Sequence, residues 1–110
     1  MIAKALPALL FLALPAAAAP NRPPPDNTYC AANATTAGIQ ATFAITPNGG
    51  GARVERSLEV AAGQTSCFVA APGQVDMTAS QPGRRDCRAR RDATAGQMQV
   101  TLRVTPDQRD

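Results

Sequence analysis

Three cysteines, Cys30, Cys67 and Cys87, and one arginine-rich run, Arg84-Arg85-Asp86-Cys87-Arg88-Ala89-Arg90-Arg91, are the residues of this 110-residue chain whose types and spacing bear on chemistry. Histidine is absent. Its absence removes a Ser-His-Asp or Cys-His triad, histidine metal ligation and imidazole general-base work. The carboxylates Glu55 and Glu59, Asp76, and Asp86 are spread over three predicted strands and match no paired acid/base motif, so they read as solvated strand faces. Gly49-Gly50-Gly51 lacks the lysine and the following helix of a phosphate-binding loop and reads as a hairpin tip. Cysteines this far apart, with no Cys-x-x-Cys pair, do not read as a metal site, and no motif calls for a cofactor.

Three cysteines allow one bridge and one remaining thiol. The closed loop would span 37 residues for Cys30 with Cys67, 20 for Cys67 with Cys87, or 57 for Cys30 with Cys87. Chain entropy gives each ~3 to 4 kcal/mol, so loop length does not choose among them. Local charge does offer a preference, because the guanidinium groups around Cys87 favour a thiolate and hence reactivity there. That selects Cys30 with Cys67 as the bridge and Cys87 as the thiol candidate. Against it, Cys87 occupies a core-facing strand position beside Ala89, where it would be inert packing or the bridge partner of Cys67.

The same run is the chain's only concentration of charge, with five arginines and two aspartates from Arg84 to Asp92, a local excess of three. Arg84, Arg88 and Arg90 share the face opposite Cys87. Together with Arg85 and Arg91 they are candidates for binding anionic groups, such as envelope phosphates, through guanidinium forks. The plainer reading is an edge strand kept soluble by its charge. No aromatics are interleaved to stack on bases, which makes nucleic acid the weaker target.

The elements that must position these residues begin after an export signal. Met1-Ile2-Ala3-Lys4 supplies a positive start, Ala5 to Leu14 an apolar run, and Pro15 to Ala19 a small-residue stretch, which is the layout of a cleavable secretory signal. Ala16 and Ala18 suit the −3 and −1 positions and place cleavage after Ala18. The run is well short of the ~20 residues needed to span a bilayer. No cysteine stands at the cleavage point for lipid attachment. Removing the signal takes away Lys4, the only lysine, and leaves ten arginines against eight carboxylates, a net charge of 10 − 8 = +2. Arginine alone as the basic residue, beside abundant Ala, Pro and Gly, reads as the imprint of a GC-rich coding sequence.

Residues 19–27, with Pro23-Pro24-Pro25, read as an extended Pro-rich tail. From Tyr29 the period is two rather than 3.6, and turn signals recur every 8 to 14 residues. Ile39, Ala41, Phe43 and Ile45 alternate with polar or small residues. Val54, Leu58 and Val60 share a face with Arg56, the mark of an edge or a bulge. Ser66 to Ala70 is a short strand, Val75, Met77 and Ala79 form another, and Arg85, Cys87 and Ala89 a third. Met98, Val100, Leu102 and Val104 alternate most cleanly. The predicted fold is all-β: a small antiparallel β-sandwich of six or seven short strands over residues 28–106, followed by a C-terminal tail at 107–110. Its only mature aromatics are Tyr29, Phe43 and Phe68. Asn33-Ala34-Thr35 matches a glycosylation sequon and is read as chance.

The stretch Ala71-Pro72-Gly73-Gln74-Val75-Asp76-Met77 through Pro82-Gly83, then Ala95-Gly96-Gln97-Met98-Gln99-Val100-Thr101-Leu102, resembles the PEGA-type bacterial β-sandwich repeat. Ile45-Thr46-Pro47 to Gly51-Ala52-Arg53-Val54 is similar to that family's opening. The resemblance covers about residues 39 to 105. The chain departs from the pattern in having no aspartate-glycine hairpin after Val54 and in carrying three cysteines the repeat does not require. The resemblance implies an extracytoplasmic structural or interaction module with no active site. These readings converge on a periplasmic or secreted interaction module without catalytic activity, whose partner would be an envelope protein. Two alternatives stand beside it: binding of an anionic envelope polymer along Arg84–Arg91, and thiol redox or covalent chemistry at Cys87, including a disulfide-linked dimer.

Overall fold

A computed structural model of the chain describes residues 25–107. The predicted signal at 1–18, most of the predicted Pro-rich tail and the end of the C-terminal tail lie outside the described residues. Seven strands follow: β1 (Asn27–Asn33), β2 (Ile39–Pro47), β3 (Val54–Val60), β4 (Thr65–Ala70), β5 (Gly73–Ser80), β6 (Cys87–Ala93) and β7 (Gln99–Val104). They form a three-stranded sheet, β4-β1-β7, and a four-stranded sheet, β3-β2-β5-β6, and no described segment is helical. The all-β sandwich read from the two-residue period is the fold of the chain.

Every strand pair is antiparallel except β1 with β7, where Thr28 to Asn33 run parallel to Gln99 to Val104. This departs from the purely antiparallel expectation. A parallel neighbour is awkward only for consecutive strands, which need a long crossover. The first and last strands carry no such constraint, because the whole domain lies between them. β1 begins at Asn27, so the last residue assigned to the tail is already buried in the sheet.

The core follows from the alternation. Ile39, Ala41, Phe43 and Ile45 of β2, Val75, Met77 and Ala79 of β5, and Val100, Leu102 and Val104 of β7 are all buried. Met98, read as part of the last alternation, precedes β7 and is exposed. Tyr29 from β1, Phe43 from β2 and Phe68 from β4 make a single cluster, with ring centroids 5.1 to 6.4 Å apart. The three aromatics therefore join the two sheets. Aromatic side chains bury the most area per residue and their edge-to-face contacts add to it, so this is where a core otherwise rich in alanine gains most.

β3 is an edge strand, the first of the two readings, edge or bulge, that the intrusion of Arg56 on its apolar face left open. Its guanidinium lies over the Phe68 ring, 4.8 Å from the centroid. At Gly73, where β5 opens opposite Pro47, a Cβ would collide with the backbone of Thr46. Glycine is needed there for close approach of the two strands.

Candidate functional site

Cys30 and Cys67 form the disulfide, with an S–S distance of 2.05 Å and 37 residues between them. The two residues are directly opposite in the β1–β4 register, with Cα atoms 4.0 Å apart. On each strand the neighbouring residues, Tyr29 and Ala31 on β1 and Phe68 on β4, face the core or are buried. The cysteines therefore project to the outer face of the three-stranded sheet. Their exposure is unequal: Cys30, on the central strand, is 1% exposed, whereas Cys67, on the edge strand β4, is open to solvent.

Cys87 stays outside the bridge, at the start of β6. It is half-buried and packs against the apolar core together with Ala89 and Leu58. Sequence charge emphasised the arginines beside Cys87, but the two-residue period sends its side chain inward, away from Arg88 and Arg90.

The structure divides the arginine run. Arg88 and Arg90 lie opposite Thr78 and Asp76 on the outer face of the four-stranded sheet. Arg90 Nε donates to Asp76 Oδ1 at 2.6 Å, and Arg53 Nη2 stands 3.6 Å from Asp76 Oδ2. Arg53 reaches across β2 to do so, since β2 separates β3 from β5. The Arg90 guanidinium is held above its ordinary value by the hydrogen bond to Asp76 and by the opposite charge of that carboxylate. It is therefore charged at every working pH. Arg84 turns the other way: Nη1 donates to Gln81 Oε1 at 3.1 Å and Nη2 to Pro106 O at 2.6 Å. Arg91 Nη1 donates to the carbonyl of Arg90 at 3.1 Å, and Arg85 is exposed ahead of β6. Arg53, Asp76, Thr78, Arg88 and Arg90 line an open groove of about 510 Å³. Three arginines against one aspartate give it a net charge of 3 − 1 = +2. Arg53 was not among the residues singled out from sequence, because the register that brings it to Asp76 is non-local.

Two buried asparagines also went unmarked as structural anchors. Asn33 Nδ2 donates to Ala37 O at 2.8 Å and Val60 O at 3.0 Å, while Oδ1 accepts from Thr35 N at 2.9 Å and Thr35 Oγ1 at 2.6 Å. Gln81 Nε2 continues the network to Thr35 Oγ1 at 2.9 Å. Both amide hydrogens of Asn33 are committed to backbone carbonyls inside the fold. Toward the other end of β1, Asn27 Nδ2 donates to Ala93 O at 2.8 Å and Oδ1 accepts from Met98 N at 2.8 Å. Tyr29 Oη donates to Ala71 O at 2.8 Å. The aspartates and glutamates are dispersed. Among the described residues, no group of three or more Cys, Asp or Glu is placed to hold a metal ion. No described helix is long and apolar enough to cross a membrane.

No protein-family model, curated protein or solved structure matches the chain.

Proposed function

We propose that this chain is an exported β-sandwich that serves as a structural or interaction module of the cell envelope, periplasmic or secreted, without catalytic activity. The observation that carries the reading is the Cys30–Cys67 bridge, because such bridges persist in oxidising compartments and are rare in a reducing cytosol. The signal layout of residues 1–18 and the resemblance to the PEGA-type repeat support it from independent stretches of sequence. A domain this small also has reason to need covalent reinforcement. The test is an intact mass of the protein recovered from cells, without reduction, before and after alkylation. Cleavage after Ala18, one bridge and a single alkylated cysteine are expected after denaturation. Recovery of an uncleaved chain with three alkylated cysteines would overturn the reading.

Anionic-polymer binding by the arginine strand is the second reading, and the groove beside Arg88, Arg90 and Arg53 favours it. Salt-sensitive retention on phosphocellulose that disappears when Arg88 and Arg90 are both replaced by glutamine is the expected result. Equal retention of the variant would eliminate the reading. Covalent or redox chemistry at Cys87, or a dimer linked through it, requires this side chain to be reached from solvent. Its packing against the core supports inert filling instead, and resistance of Cys87 to alkylation in the folded protein is the expected outcome.

A further inference from the structure

We propose that the Cys30–Cys67 bridge is a site of thiol–disulfide exchange, opened from its Cys67 side in the folded protein by a dithiol. The proposal rests on the export reading only in that the bridge must have formed.

Three placements carry it. The bridge joins directly opposite residues on the outer face of the β4-β1-β7 sheet, whose inner face is the one packed against the second sheet. Thus the sulfurs lie on the solvent side of the layer. Cys67 is exposed on an edge strand, whereas Cys30 is 1% exposed at the centre of the sheet. A thiolate must approach the sulfur it attacks, and access is one determinant of exchange rate. Of the two bridged residues, Cys67 is the exposed one. Finally, β1 and β4 are held together without the bridge: six residue pairs are in register from Asn27↔Ala70 to Ala32↔Thr65, and Tyr29 stacks on Phe68 with centroids 5.5 Å apart. Opening the S–S bond does not require the strands to part.

In the first step a thiolate of the dithiol attacks Cys67 Sγ. A mixed disulfide forms at Cys67, the Cys30–Cys67 bond breaks, and the electron pair leaves on Cys30 as thiolate, which takes a proton. In the second step the other thiol of the reagent, as thiolate, attacks its own sulfur in the mixed disulfide and releases Cys67 as thiolate. The bridge is reduced by two electrons and the dithiol is oxidised to its disulfide. Because Cys30 remains opposite Cys67 in the ladder, it can attack the mixed disulfide in return. Exchange at this site is therefore reversible without refolding.

The experiment uses the oxidised full chain and its Cys87→Ser variant, treated with dithiothreitol at fixed pH in a series of urea concentrations below the unfolding transition, then quenched by alkylation and weighed. Direct attack predicts reduction rates that agree within about twofold across that series, as expected when exchange needs no opening of the structure. Rates that climb in step with the unfolded fraction would overturn the proposal. A second arm uses the monothiol glutathione and maps the trapped adduct. It is expected on Cys67, and adducts on Cys30 in equal or greater amount would also overturn the proposal. The Cys87→Ser variant must behave identically, which separates direct attack from shuffling through Cys87. None of these results bears on whether the chain is exported.

Discussion

Asn33 illustrates how a single polar side chain organises a corner of this molecule. It is 2% exposed and lies where β1 ends, and its amide ties together the turn after β1 and the end of β3 through Ala37 O and Val60 O. A buried donor or acceptor is costly to leave unmade, more than its net contribution when paired. Asn33→Ala strands Val60 O and the Thr35 N–H together. A loss of about 2 to 3 kcal/mol in urea unfolding is expected, with the native circular dichroism retained. A loss below half a kcal/mol would mean that water replaces the amide. Tyr29 works by the same logic at a smaller scale. Its ring belongs to the aromatic cluster and its hydroxyl has one short bond, to Ala71 O, so Tyr29→Phe should lower stability by about 1 kcal/mol.

At the scale of the strand, the two edges of the four-stranded sheet are protected by charge in different ways. On β3, Arg56 points to the apolar face but caps Phe68 with its guanidinium and lies at the open side of the sheet. Cation–π contacts of this kind contribute about 0.5 to 1 kcal/mol at exposed sites. Arg56→Ala is expected to lower stability by about that amount and to raise fluorescent-dye binding to the newly uncovered ring, with Arg56→Lys in between. On β6, Arg88 and Arg90 stand outward while Arg91 donates to the edge carbonyl of Arg90, which blocks one position where another strand would pair. The Arg90–Asp76–Arg53 chain ties β6 to β3 across the face of the sheet. Such exposed pairs are screened by salt and contribute little to stability. Raising ionic strength should leave the unfolding midpoint of an Asp76→Asn variant and that of the parent nearly equal. Because Arg90 is raised above an already high value, its own titration removes nothing in the neutral range, and its contribution is lost only as pH climbs past that value. No stability change between pH 5 and 9 is expected from it.

For the whole molecule, the bridge and the aromatic cluster compensate for a core built largely of short side chains. Both link β1 to β4, and the cluster adds β2 from the other sheet. Closing a 37-residue loop reduces the entropy of the unfolded chain, and the chain-entropy relation gives about 3 to 4 kcal/mol for it. The Cys30→Ala, Cys67→Ala double variant should lose about that much, read as a shift of the urea midpoint with an increased m-value because the unfolded chain is no longer tethered. An unchanged midpoint would show that the strand ladder alone holds this side of the sandwich.

Residue order alone establishes the two-residue period, the turns at Pro47–Gly51 and Pro82-Gly83, and with them an all-β chain whose inward residues could be named. Those signals are local, since alternation within a strand dictates which residues share a face. It also marked β3 as an edge or a bulge through Arg56, and it identified Cys30 and Cys67 as the favoured pair, though from charge near Cys87 and not from any geometry. What depends on register between distant strands came only with the packed fold: that β1 lies parallel to β7, that Cys30 stands opposite Cys67, that Arg53 crosses β2 to Asp76, and that Asn33 closes a corner. The arginine run shows the same division at one site. Its charge is legible residue by residue, but hydrogen bonds to Asp76, Gln81 and Pro106 distribute Arg84 and Arg90 to separate places. Pairing energies act between residues far apart in the chain, so the pattern along one strand fixes its faces but leaves its neighbours to be set by the packing of the whole.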